Sequence, residues 1–253
     1  MKKKKSSGNG FIILFLIACI LVAAYFIYRN FKNEINFVRY DEFGIDIPIN
    51  YKIHGIDVSK FQGEVNWNAV KQMQVEDIKL TFAFIKATEG ITRQDAQFKR
   101  NWQKAKKAGV IRGAYHFFYA TRDPMKQVIN FRNTVDLEPG DLPPVLDIEV
   151  HNDQTPAVIR SMAKIWLEEM EEVYGVKPII YTNMKFYDTY LGDEFDQYPL
   201  WVAHYYQKEK PKASRSWLFW QHSDIGRVNG IRNKVDFNVF RGDSASLMKL
   251  CLP

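Results

Sequence analysis

Two carboxylic acids stand two residues apart in LPPVLDIEV, residues 142–150: Asp147 and Glu149. The apolar neighbours and the Pro pair ahead of them read as a short buried strand. Side chains at i and i+2 of a strand face the same way. Asp147 and Glu149 then share one face, with Leu146, Ile148 and Val150 on the other. Two like charges side by side do not suit a core but do suit a cleft. Crowding and partial burial there raise one pKa and leave the other group ionised, which is the arrangement glycoside hydrolysis needs.

Other groups fall at neighbouring strand ends. Asp57 lies in HGIDVS, Glu89 in FIKATEG and Asp236 in KVDFNVF. Tyr115, Tyr181, Trp201, Tyr205 and Trp220 are candidates to stack on sugar rings, with Asn183, Gln221 and Asn238 to bond hydroxyls and acetamides. Taken singly, each acid competes with a reading as a solvated loop residue, and each aromatic with core packing. His54, His116, His151, His204 and His222 also lie near strand ends, but no HxH or HExxH spacing occurs. The strand-four motif is all oxygen, so neither a metal site nor a cofactor is expected, and the histidines read as satisfied structural residues. No nucleophile-elbow motif is present for a Ser or Cys enzyme.

These groups need a scaffold that gathers strand ends. From His54 onward, strands are expected at 54–58, 81–87, 110–118, 144–150, 178–182, 200–205, 217–221 and 235–240. Helical patterns separate the earlier ones: NWNAVKQMQ; DAQFKRNWQKAKKAG, ending on Gly109; DPMKQVINFRNTV, with Asp123 as N-cap and Pro124 at the first position; and a segment opening on Thr155 and Pro156 and closing on Gly175. Such alternation predicts an α/β fold, a modified (β/α) barrel of eight strands with incomplete helices on the later ones. The 222–234 connection is too short and Gly-rich for a full helix. Working residues of a barrel sit at the C-terminal ends of its strands.

The chain has 253 residues and a net charge of +6. Residues 1–30 contribute five basic residues and no acid; without them 30 basic residues face 29 acidic ones, a net of +1. The folded part thus lacks the positive charge of a nucleic-acid binder. Cys19 and Cys251 form neither a metal-site spacing nor a disulfide framework.

Four lysines precede an uncharged stretch over residues 11–28. A transmembrane helix is expected there, with 1–10 as a basic cytoplasmic segment, 29–53 as a stem and 54–253 as the barrel domain outside the cytoplasmic membrane. Cleavage near Ala23–Ala24 and lipidation at Cys19 compete with this anchor.

The stretches GIDVSKFQGEVNW, FAFIKATEG, GAYHFF, PPVLDIEV, PIIYTN, LWVAHY and WQHSDIGRVNGIRNKVDFNVF occur in this order from about His54 to Asp243. Together they resemble glycoside hydrolase family 25, the Chalaropsis-type lysozymes or N-acetylmuramidases. The resemblance implies cleavage of the β-1,4 bond between N-acetylmuramic acid and N-acetylglucosamine, with peptidoglycan glycan strands as partner; a monomer is expected. It also implies Glu149 as general acid, an ionised Asp147 supporting the anomeric centre, and Asp57 and Asp236 shaping an acidic cleft. Net retention with help from the substrate's own acetamide is favoured over Asp147 as covalent nucleophile. A non-catalytic wall-binding module and a hydrolase of another N-acetylated glycan are the competing functions.

Overall fold

The computed structural model describes residues 8–33, 35–205, 211 and 215–253, with side chains of the first helix from Ile12 to Phe26. Eight strands close a barrel: β1 (Ile53–Val58), β2 (Ile78–Glu89), β3 (Ile111–Phe117), β4 (Val145–Asp147), β5 (Ile179–Asn183), β6 (Leu200–Ala203), β7 (Phe219–Gly226) and β8 (Val235–Phe240). Each pairs with the next, and β1 pairs with both β2 and β8 to complete the ring. The ladders from β1 to β7 are parallel, whereas β8 is antiparallel to β7 and to β1. A parallel return needs a crossover of a dozen or more residues. The 227–234 connection is shorter than that, so the chain turns back as a hairpin.

The helices follow the early strands: α1 (Trp67–Gln72), α2 (Phe98–Lys107), α3 (Pro124–Arg132), α4 (Pro156–Tyr174) and, after β8, α5 (Ser244–Leu250). Their ends are set by local chemistry. Asp123 accepts from the Lys126 amide and Thr155 from the Val158 amide, each followed by a Pro at the helix start. Gly175 closes α4 in the left-handed region at φ 68°.

Strand alternation sorts the core into two layers. Inward-facing Phe82, Phe84, Trp201, Phe219 and Phe240 fill the barrel, with Phe84 stacked on Trp201 at 4.1 Å between ring centres. Room for the rings comes from glycine: a Cβ at Gly55 would lie 2.6 Å from the Phe82 ring, and one at Gly113 2.7 Å from Phe84. Outward-facing Ile56, Leu146 and Ile180 pack under the helices with Phe131 and Trp166.

Residues 29–53, expected as a stem, contain an antiparallel hairpin of Phe37–Tyr40 and Ile45–Pro48. It clasps the outer wall of β7 and β8: Phe43 is fully buried against Phe237, with ring centres 5.4 Å apart, and Phe37 meets Trp220 edge-on at 6.0 Å.

The expected transmembrane anchor is corrected. A helix, Gly8–Asn33, covers the apolar run. Among the described residues, no helix is long and apolar enough to cross a membrane. The single-pass topology, the membrane as partner through residues 11–28 and the membrane location fall with that finding. Residues 1–7 of the expected basic segment lie outside the described residues.

The hairpin clasp is testable. Phe43→Ala should cost about 3–5 kcal/mol of stability, the usual range for a buried Phe, measured by urea unfolding of the full chain. A loss below about 1 kcal/mol would show that the clasp is dispensable to the wall bearing β8.

Candidate active site

Above the aromatic filling, the inward positions turn polar and form a cleft of about 290 Å³ at the C-terminal ends of the parallel strands. Asp57 comes from β1, Lys86 from β2, Tyr115 and Phe117 from β3, Tyr181 from β5 and Gln221 from β7. The β4 ladder stops at Asp147, opposite Tyr181. The Ile148 amide still bonds to the Tyr181 carbonyl at 3.0 Å, so the extended alternation continues one step further. Leu146 and Ile148 enter the outer core, while Asp147 and Glu149 both line the cleft. Asp147 is 5% exposed and Glu149 lies nearer the opening.

On the opposite wall the antiparallel register sets Asp236 of β8 directly across from Asp57. Asp57 Oδ2 accepts from Asn238 Nδ2 at 2.7 Å and from Gln221 Nε2 at 2.6 Å. Gln221 Oε1 in turn accepts from the Tyr181 hydroxyl at 2.6 Å and from the Tyr205 hydroxyl. Asn238 Oδ1 accepts from Trp201 Nε1 at 2.7 Å. Burial raises both acids of the pair. At Asp57 the Asn238 and Gln221 amides oppose that rise. At Asp236 the charge of Asp57 adds to burial and pushes the carboxyl up to about 9. The pair therefore holds one proton, on Asp236, shared toward Asp57.

Across the cleft, burial and then the facing Glu149 push Asp147 well above the usual carboxylate range, with Lys86 pulling the other way. Burial also raises Glu149, and Lys86 again opposes it. Both acids of the pair are thus raised, with Lys86 the one opposing charge on each. Asp147 Oδ1 is buried and has no hydrogen-bond partner among the described residues. Lys86 is held by Glu89 at 2.9 Å and lies over the Phe117 ring at 4.8 Å. Burial alone would raise Glu89, but bonds from Lys86 and the Tyr119 hydroxyl outweigh it and hold its carboxyl below the usual range.

Tyr115, Tyr181, Trp201, Tyr205 and Gln221 line the cleft. Trp201 is nearly buried, one face taken by Phe84 and its N–H by Asn238, so it serves as floor. Three expected binding residues do not reach the opening. Asn238 is fully buried beneath Asp57. Trp220 points outward, because it alternates with inward Gln221, and it donates to the His204 carbonyl at 2.9 Å. Asn183 caps the turn after β5, accepting from the Phe186 amide at 2.9 Å. None of the histidines lines the cleft. His116 is satisfied by Thr88 and Gln127, whereas neither ring nitrogen of buried His222 has a partner among the described residues; burial lowers its pKa to about 3 and keeps the ring neutral. The sequence reading missed Lys86 and Phe61. A lysine in phase with Phe82 and Phe84 was the available signal. Phe61 is 70% exposed at the rim on a turn fixed by a Ser59–Gln62 capping box.

A family model described as Glycosyl hydrolases family 25 matches residues 56–231. The chain is 47% identical over 200 residues to the uncharacterized protein YegX of Escherichia coli K12, covering 79% of this chain and 74% of that one. It is 35% identical over 214 residues to Lysozyme M1 of Streptomyces globisporus, covering 78% and 71%. A solved family 25 glycosyl hydrolase from Bacillus anthracis superposes with a TM-score of 0.73 at 30% identity, over 84% of this chain and 99% of that one.

The shared proton has a stability signature. Between the unfolded value of 3.8 and the folded value of about 9, the native chain holds a proton at Asp236 that the unfolded chain has lost. Stability must therefore fall as pH rises through that window. Asp236→Asn supplies an amide donor to Asp57 with no proton to lose. Its melting temperature should fall less steeply than the wild type's from pH 5 to pH 8; equal slopes would mean that Asp236 is not the proton carrier.

Proposed function

The chain belongs to glycosyl hydrolase family 25 and hydrolyses cell-wall glycan as a lysozyme-type enzyme, and from that premise we propose how its cleft cuts the β-1,4 bond after N-acetylmuramic acid. Glu149, the more open acid of the pair, protonates the leaving glycosidic oxygen. Asp147, deeper and beside it, handles the anomeric side. The observation that carries this division is the buried Asp147 Oδ1 without a hydrogen-bond partner. An acetamide N–H of the bound sugar supplies the missing donor, and a hydrogen bond to the charged form lowers a carboxyl's pKa. Binding thereby favours an ionised Asp147, and Glu149, raised by burial, is the group that keeps a proton. The oriented acetamide oxygen attacks the anomeric carbon as the glycosidic bond breaks, giving net retention after water opens the cyclic intermediate. Asp57 and Asp236 set the field on the far wall. Phe61 and Phe117 offer faces for the sugar rings, and Tyr115, Tyr181 and Tyr205 offer hydroxyls.

Glu149→Gln keeps shape and hydrogen bonding but cannot donate a proton. It should lower kcat on purified peptidoglycan by about 10²–10⁴-fold while wall binding survives. Reducing-end release near the wild-type rate would remove Glu149 from the acid role. The sugar left at the reducing end, read by mass, distinguishes a muramidase from a hydrolase of the alternate linkage.

The acetamide route makes its own demand. Glycan whose muramic residues lack the N-acetyl group should turn over at least about 10²-fold more slowly, without forming an ester on Asp147. Normal turnover, with a fluorosugar trapped on Asp147, would establish direct nucleophilic attack instead.

A further inference from the structure

Beside the acidic cleft lies a larger groove of about 1050 Å³, between α2, the start of α1 and the 227–234 connection. Gln62 lines both, so the two meet at the capped turn after β1. The groove is basic. Arg100, Lys104 and Lys107 recur at i, i+4 and i+7 and thus share one face of α2, and Arg232 joins them from the 227–234 connection. Among its lining residues the single acid is Glu64, spent on Arg100 at 3.0 Å, which leaves a surplus of three positive charges. Lys104, Lys107 and Arg232 have no ion-pair partner among the described residues. Beyond residue 30 the whole chain is nearly neutral, at +1, so the surplus is a local feature.

The walls are also fixed. The Asn66 amide bonds to the Gly230 carbonyl at 2.9 Å, and Gln62 Nε2 bonds to the Lys234 carbonyl at 2.9 Å. Gly230 adopts φ 92°, and a Cβ there would stand 2.5 Å from the Asn66 carbonyl oxygen, so only glycine allows this approach. The groove is held open in one shape by these contacts, and Lys104, Lys107 and Arg232 line it with no carboxylate paired to them among the described residues.

We propose that this groove binds the carboxylates of the peptide stems on the strand being cut, which rests on the reading of peptidoglycan as substrate. The ligand must be neutral where it meets the acidic cleft and anionic a short distance away. Glycan carrying short acidic peptides on its muramic residues has that division: sugars without charge along the backbone, carboxylates on the branches. A uniformly charged polyanion such as a nucleic acid meets repulsion at the adjoining acids. The stem therefore gives the enzyme a second point of attachment, and the cations act in binding rather than in the chemical step.

The test compares kcat/KM of the full chain on purified glycan strands with stems intact and on the same strands after an amidase has removed them. The wild type should prefer stem-bearing strands by about tenfold, the combined effect of three weak, exposed ion pairs. That preference should shrink as salt is raised to about 0.5 M. Replacing Lys104→Gln, Lys107→Gln and Arg232→Gln together should bring it close to one; all three side chains are exposed, so folding is not at stake. A preference unchanged by the triple substitution overturns the proposal, as does an equal loss on both substrates, which would assign the groove to sugar. If the wild type cuts neither substrate, the hydrolase reading fails first and this proposal fails with it.

Discussion

The antiparallel register of β8 against β1 sets Asp236 opposite Asp57, in a barrel wall where water is scarce. Two adjacent carboxylates cannot both stay ionised in such a place. The structure resolves the conflict by assigning one proton to the pair and surrounding the ionised partner with amide donors from Asn238 and Gln221. That solution then fixes its neighbours. Gln221 has spent its N–H on Asp57, so its carbonyl faces Tyr181 and Tyr205 as an acceptor and orients both hydroxyls. Asn238 does the same for the Trp201 indole, which forms the floor. One forced encounter of two acids thus dictates the hydrogen-bond polarity of half the cleft.

The other half follows a different rule. Asp147 and Glu149 are not bridged through amides; they are separated by depth, and Lys86 tempers both. A pair of this kind is poised rather than locked, because whichever group a ligand hydrogen-bonds in its charged form will ionise first. The aromatic filling beneath matters for both halves. Phe84 and Trp201 exclude water from below, so the field of each charge falls off slowly and a single lysine is felt by both acids.

Much of this was legible in the residues because it rests on alternation and capping. The i, i+2 acids of LDIE do share a face, and the Asp-Pro and Thr-Pro helix starts sit where the sequence puts them. The same alternation, applied strictly, would have separated Trp220 from Gln221, since neighbours on a strand cannot both face the mouth. Asn183 was misjudged for a local reason: an Asn that ends a strand has the next turn's amides within reach. Strand direction was not legible, because hydrophobic periodicity is identical read either way. The hairpin over Phe37–Pro48 escaped notice because its polar outer positions masked the buried Phe43, Ile45 and Ile47. Burial depth, which raises both Asp147 and Glu149, depends on tertiary packing and has no sequence signal.

Because β8 runs against its neighbours, the chain enters it at the mouth and leaves at the floor. There Leu252 exchanges backbone hydrogen bonds with Gly140 and Asp141, just ahead of β4. A parallel eighth strand would have discharged α5 at the rim, beside Glu149, where it would compete with substrate for room. With the chain led to the far side, neither α5 nor Leu252 takes up space beside Glu149.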